Sequence, residues 1–135
     1  MKKLRIIHLI ALIALCSAFT AVLVKAATLS DADKQFLARY GNVHGALAAD
    51  DLAGAKTAAG DLGDEGAQSA KSSSLKEARA AFEKLSDKAK QLAAGQSGYY
   101  VAHCPMLNKD WVQRSEKIAN PYGGKEMVTC GEIKK

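Results

Sequence analysis

The residues best equipped for chemistry lie at one end of the chain, in the stretch 99–135. His103, Cys104 and Met106 fall within four residues of one another, and Met127 and Cys130 follow after a glycine-rich turn. Imidazole, thiolate and thioether are the side chains that soft, thiophilic metals prefer, and Cu(I) is the leading case. The same stretch carries both prolines, the only tryptophan, three of the four tyrosines, two of the three cysteines and two of the three methionines. Pro105 disfavours helix at Cys104 and pushes it towards an extended conformation. In an extended segment Cys104 and Met106 share a face and His103 takes the other. Met127 and Cys130 share a face only if that piece is helical, at i and i+3.

Two cysteines in an exported domain also commonly form a disulfide. A Cys104–Cys130 bridge closes a loop of about 25 residues, which the chain-entropy model rates at roughly 3 kcal/mol. In that reading Met106 and Met127 fill gaps in the core and His103 is a surface residue. The two readings stay open side by side, because methionine and histidine can hold copper next to a disulfide and a thioether needs no deprotonation to act as a ligand. An enzyme has little support. The chain has no C-x-x-C redox motif, no G-x-S-x-G elbow and no glycine-rich phosphate loop. A His103–Cys104 nucleophile pair is opposed by the alternation of adjacent residues in an extended piece.

The rest of the chain must hold that stretch in place. Residues 1–26 read as an export signal. Lys2, Lys3 and Arg5 precede an apolar run from Ile6 to Val24, and Val24-Lys25-Ala26 offers a small residue at the cleavage position, with Ala27 as the alternative. The competing reading is an uncleaved membrane anchor, since the run is near the minimum for a spanning helix. Cys16 does not suit lipid attachment, because Leu15 stands where a small residue is expected. Of the 19 Lys and Arg residues four lie in the leader, which leaves 15 against 14 Asp and Glu, or +1 in place of +5. A near-neutral chain gives a nucleic-acid partner no electrostatic support. A periplasmic location, with no membrane contact after cleavage, follows from the leader.

Residues 27–135 then form one helical domain, with the metal-site candidate in 99–135. Ser30 with Asp33 is a variant capping box that opens a first helix, and Phe36, Tyr40, Val43 and Leu47 mark its buried face. His44 lies beside that face and reads as a half-buried helix histidine, with a ligand role the lesser alternative. Asp50 and Asp51 can cap a second helix carrying Leu52, Ala55, Ala59 and Leu62. From Gly63 to Ser74 no apolar period is visible, and a loop or frayed linker is expected. Ser74 with Glu77 caps a third helix, with Leu75, Ala78, Phe82, Leu85, Ala89 and Leu92 on one face and a stop at Gly95. No convincing strand precedes residue 99. Tyr99-Tyr100-Val101 suits either a short extended piece or a last helical turn. Asn120-Pro121-Tyr122-Gly123-Gly124 is a strong turn signal. Trp111, Val112 and Ile118 are expected to close the stretch against the helices, with core packing favoured over a cation–π role for Trp111 at a metal. The expected class is mainly α: a small helical bundle of three to four helices with an irregular Cys/Met-bearing C-terminal stretch.

These residues also carry a family resemblance. H-G-A-L-A-A-D-D-L-A-G-A-K-T-A-A from His44, A-R-A-A-F-E-K-L-S-D from Ala78, and H-C-P-M, W-V-Q and I-A-N-P-Y-G-G-K-E-M-V-T-C-G-E-I beyond it resemble a bacterial family of exported domains of unknown function. Its members occur alone or fused to the periplasmic adaptor subunits of copper and silver efflux systems. The resemblance spans most of residues 27–135. The chain departs from the pattern in a shorter link between C-P-M and the tryptophan, and in W-V-Q where W-L-S is more usual. The resemblance implies soft-metal contacts at Cys104, Met106, Met127 and Cys130, with His103 as an extra candidate. It implies copper as Cu(I), or silver, as cargo and a periplasmic efflux adaptor as partner. The expected function is therefore a periplasmic Cu(I)/Ag(I) binding protein that buffers the metal or hands it to efflux. The alternative is a disulfide-stabilised helical interaction module without metal.

Overall fold

The computed structural model describes residues 28–135. The stretch 1–26, read above as an export signal, lies outside the described residues. Four helices and a three-stranded sheet follow in order: α1 (Asp31–Ala48), α2 (Leu52–Gly60), α3 (Ala67–Ala70), α4 (Leu75–Ala93), β1 (Tyr100–Cys104), β2 (Lys109–Gln113) and β3 (Glu132–Ile133). The chain is mainly helical, as expected. The C-terminal stretch is not irregular throughout, because a small antiparallel sheet stands in it. None of the described helices is long and apolar enough to cross a membrane.

Helix α1 begins where side chains satisfy its free amides. Ser30 Oγ accepts the Asp33 N–H at 3.1 Å, and the Asp33 carboxylate accepts the Ser30 N–H at 3.3 Å. Phe36, Leu37, Tyr40, Val43 and Leu47 are buried along one face. Asp51 caps α2 by accepting the Gly54 N–H at 2.9 Å. Its neighbour Asp50 takes a left-handed conformation, φ 57°, and turns to Arg79 instead. Ala55 and Ala59 are fully buried, and such small residues let α2 lie close against its neighbours.

Residues 63–74 are more ordered than their composition suggests. A 3-10 turn over Gly63–Glu65 leads into α3. Ser69 and Ser72 are buried, with their hydroxyls donating to the carbonyls of Ala78 at 3.4 Å and Gln68 at 3.2 Å. A segment of Ala, Ser and Gly can pack by its smallness without showing an apolar period. Ser74 Oγ then accepts the Glu77 N–H at 3.2 Å and opens α4. The Glu77 carboxylate reaches back to Ser73 rather than to Ser74, at 2.8 Å. Ala78, Phe82, Leu85 and Ala89 form the buried stripe of α4. Gly95, with φ 72°, follows its end.

The sheet order is β2-β1-β3, all antiparallel. Tyr100–Cys104 pairs with Lys109–Gln113 as a hairpin, so Tyr100 and Val101 are extended rather than a helical turn. The hairpin turn is 105–108, with Asn108 at φ 50°. Such a conformation is tolerated best by asparagine after glycine. β3 pairs on the other side of β1, with Ala102 opposite Ile133 and His103 opposite Glu132.

Helices and sheet meet over a chain of buried hydroxyls. Tyr40 Oη lies 3.1 Å from Ser86 Oγ and accepts the Val112 N–H of β2 at 3.0 Å. Tyr122 donates to the same Ser86 Oγ at 3.0 Å. The rings of Tyr40 and Phe82 stack at 4.9 Å, and Tyr122 packs on Phe82 at 5.8 Å. Burial holds both phenol pKa values well above the ordinary range, so both stay protonated. Replacement of Tyr40 by Phe keeps the ring and strands the Val112 amide, which costs about 1–3 kcal/mol. Urea unfolding of Tyr40→Phe is expected to show that loss with an unchanged slope, and a loss near zero would show that the hydroxyl does not tie sheet to helices.

Candidate metal and thiol site

β1 ends at Cys104, whose side chain is fully buried with those of Ala102 and Trp111. The register of β3 brings the following piece to the same place. Ala102 faces Ile133 and His103 faces Glu132, so the next pair along places Gly131 opposite Cys104. Gly131 has φ 149°, and a Cβ there would sit 2.8 Å from the Trp111 ring and 3.1 Å from the His103 carbonyl. Only a glycine lets this strand lie flat on Trp111. Cys130, its neighbour, then stands beside Cys104, with the two Sγ atoms 2.7 Å apart. The 3-10 turn over Gly124–Met127 continues into Cys130, whose N–H donates to the Met127 carbonyl at 2.8 Å. That turn is the helical geometry under which Met127 and Cys130 approach one face, and both pack on the Ala102–Cys104–Trp111 cluster.

Asn120 holds this arrangement together and is fully buried. Its Oδ1 accepts the N–H groups of Tyr122 and Gly123 at 2.9 and 3.0 Å, and its Nδ2 donates to the Cys130 carbonyl at 2.9 Å. Its backbone N–H donates to the Val128 carbonyl at 2.8 Å. The Asn120 amide also reaches the Cys104 sulfur, as do the N–H groups of Leu107 and Met106. From sequence Asn120 reads only as the first residue of a turn. Its signal was the N-P-Y-G-G pattern itself, in which an Asx side chain caps the backbone that follows.

The two sulfurs differ. Burial raises the Cys104 pKa, but hydrogen bonds from Cys130, Leu107, Met106 and Asn120 outweigh it and leave the thiol below its ordinary value. The Cys130 pKa is raised, first by its hydrogen bond to Cys104 and then by burial. The pair is therefore asymmetric, with the Cys104 thiol held below and the Cys130 thiol above its ordinary pKa. Cys130 is partly exposed, whereas Cys104 is sealed.

Met106 and His103 are not brought to the sulfurs as side chains. Met106 lies in the hairpin turn rather than in an extended run, so it does not share a face with Cys104, and it is 77% exposed. Only its backbone N–H turns to the pair. His103 takes the opposite face of β1, as strand alternation requires. There its Nδ1 lies 2.7 Å from Asp110 Oδ1, among Lys90, Lys109 and Lys134. Among the described residues no three His, Cys, Asp or Glu side chains converge on a point where a metal ion would fit. Trp111 is core, fully buried, and donates through Nε1 to Gln113 Oε1 at 2.8 Å. His44 is buried and its Nε2 contacts the Ala119 carbonyl at 2.7 Å, which pins α1 to the loop before Asn120.

A metal between two sulfurs at the roughly 2.3 Å of a metal–thiolate bond needs them about 3.8–4.6 Å apart, from tetrahedral to linear. The observed spacing is shorter. Cys104 and Cys130 must part by about 1–2 Å to admit an ion, and the motion falls to Cys130, the less enclosed of the two.

Asn120→Ala removes three hydrogen bonds from a buried centre and is expected to cost about 2–4 kcal/mol in denaturant unfolding, while a loss below half of that would show the loop held by something else. Burial lowers the His44 pKa, against the smaller opposing effect of the Ala119 carbonyl. The folded protein thus resists a proton that the unfolded chain accepts below about pH 6.5. Stability should fall as pH drops from about 6.5 towards 5, by at most roughly 1.4 kcal/mol per pH unit, and His44→Gln should flatten that slope in urea titrations. No protein-family model, no curated protein and no solved structure matches this chain, so the functional reading rests on the geometry of the site.

Proposed function

We propose that the reduced protein is a periplasmic binding protein for Cu(I), with Ag(I) taken by the same chemistry, that buffers the ion or passes it to an efflux adaptor. The observation that supports this reading is the meeting of Cys104 and Cys130 at 2.7 Å, with Cys130 partly exposed and Met127 packed on the same cluster. Two thiolates and a thioether are a soft donor set. Cys104, held by backbone and amide N–H groups, is the fixed ligand. Cys130 is the movable one, and Met127 supplies a neutral third sulfur. Met106, exposed on the hairpin turn, is placed to meet an ion as it arrives or leaves rather than to enclose it. His103 has no part in this set, because it is engaged with Asp110 on the far face of β1. A carrier that must release its cargo benefits from few ligands and an open edge.

The second reading is a helical interaction module with a structural Cys104–Cys130 disulfide and no metal. The 2.7 Å spacing of the sulfurs favours it, since that is nearer to a bond of about 2.05 Å than to a pair of ligands. The two readings part in a competition titration with a Cu(I) chelator. Reduced protein is expected to bind one Cu(I) far more tightly than about micromolar, with binding lost in Cys104→Ser and weakened roughly tenfold in Met127→Ala. Affinity no tighter than micromolar, unchanged by Met127→Ala and Met106→Ala, would leave the interaction module as the function.

A further inference from the structure

The surroundings of the two sulfurs are unequal in a way that gives any bond between them a direction. Cys104 Sγ is enclosed at the end of β1, 2.7 Å from the partly exposed Cys130 Sγ, and hydrogen bonding from the N–H groups of Met106 and Leu107 and from the Asn120 amide lowers its pKa against burial. Those donors stabilise negative charge on sulfur wherever it comes from. Cys130 follows the 3-10 turn, is partly exposed, and has only the Met106 N–H among these donors.

We propose that Cys104 and Cys130 form an exchangeable disulfide whose outward sulfur, Cys130, is the site of attack by an external dithiol, with Cys104 as the leaving thiolate. The attacking thiolate forms a bond to Cys130 Sγ, and the Cys104–Cys130 bond breaks with its electron pair passing to Cys104. The second thiol of the reductant, as thiolate, then attacks its own sulfur in the mixed disulfide and releases Cys130 as a thiolate that takes up a proton. Two electrons pass from the dithiol, which ends as a disulfide, to the cysteine pair. Oxidation is the reverse, with an external disulfide as the oxidant. Its sulfur is first transferred to Cys130, and Cys104 then closes the bond and expels the external thiolate. Rates of such exchange rise with access to the attacked sulfur and with stabilisation of the leaving thiolate, and both favour the same direction here. This chemistry goes beyond the metal reading and does not depend on it.

Peptide mapping of the wild-type protein tests the proposal without metal. Trypsin separates the two cysteines, with Cys104 in residues 91–109 and Cys130 in 126–134. The protein is oxidised with glutathione disulfide, desalted, exposed briefly to excess reduced glutathione without denaturant, and quenched in acid with N-ethylmaleimide. The expected product carries glutathione on Cys130 and maleimide on Cys104, in roughly tenfold excess over the reverse pattern. Glutathione mainly on Cys104, or shared equally, overturns the direction. Two free thiols after oxidation, or a bond that glutathione opens only in denaturant, overturns the exchange itself. Failure of the Cu(I) titration leaves these outcomes untouched, so the two proposals can fail separately.

Discussion

A buried side-chain amide has donors and acceptors that no water can satisfy, and an unpaired one costs about 1–3 kcal/mol. Asn120 meets that requirement by drawing the loop around itself. Its oxygen holds the turn through Tyr122 and Gly123, and its nitrogen holds the Cys130 carbonyl. Because one end of the amide fixes 122–123 and the other fixes 130, the intervening turn has little freedom. Cys130 is therefore delivered to Cys104 by hydrogen bonding to its backbone, not by any affinity between the sulfurs.

The helical layer contributes by anchoring that loop at four separate points. Arg79 of α4 donates to the Pro121 carbonyl at 2.8 Å and to the Leu47 carbonyl at 3.0 Å, and pairs with Asp50. Asp50 in turn accepts the Lys125 N–H at 3.0 Å. Gly124, with φ 58°, passes so close to Asp50 and Arg79 that a Cβ would collide with both. His44 holds Ala119 from α1, and Ser86 holds Tyr122 from α4. Most of these partners are backbone carbonyls and amides of the loop, so the helical layer specifies its path rather than its side chains. The hydrogen bond from Lys125, then that from Arg79, lowers the Asp50 pKa and keeps the carboxylate charged as the centre of this clamp.

The helices were legible because their signals are local. Ser30, Asp51 and Ser74 cap where capping residues precede an apolar period, and Phe36, Tyr40, Val43 and Leu47 recur at the spacing of one face. α3 was missed because Ala, Ser and Gly pack without an apolar stripe. The sheet was missed for another reason. Its strands are short, β3 has only two residues, and its pairing with β1 across 29 and 31 positions leaves no local trace. A hint was present in Pro105 and Asn108, which bracket a four-residue hairpin turn between two runs that suit strands. Taking Pro105 as the start of an extended run, rather than of a turn, put Met106 on the wrong side. The opposition of His103 to Cys104 was foreseen correctly, since it depends only on strand alternation.

The two roles proposed for the cysteine pair cannot be held at once. Electrons shared in a sulfur–sulfur bond are not available as thiolate ligands, so an ion can enter only after reduction. In both roles the same asymmetry matters. Cys104 stays in place at the end of β1 under its three donors, and Cys130 moves. An approaching thiol and an approaching soft cation meet the same partly exposed sulfur first. The spacing of 2.7 Å is too short for an ion between the sulfurs and close to that for a bond. In the proposed metal role it is the Cys130 side chain that swings outward, while its backbone stays held by Asn120. Under the two proposals, the sulfur that opens the bond is also the sulfur that opens the metal site, and the oxidation state of one pair would decide whether the protein carries cargo.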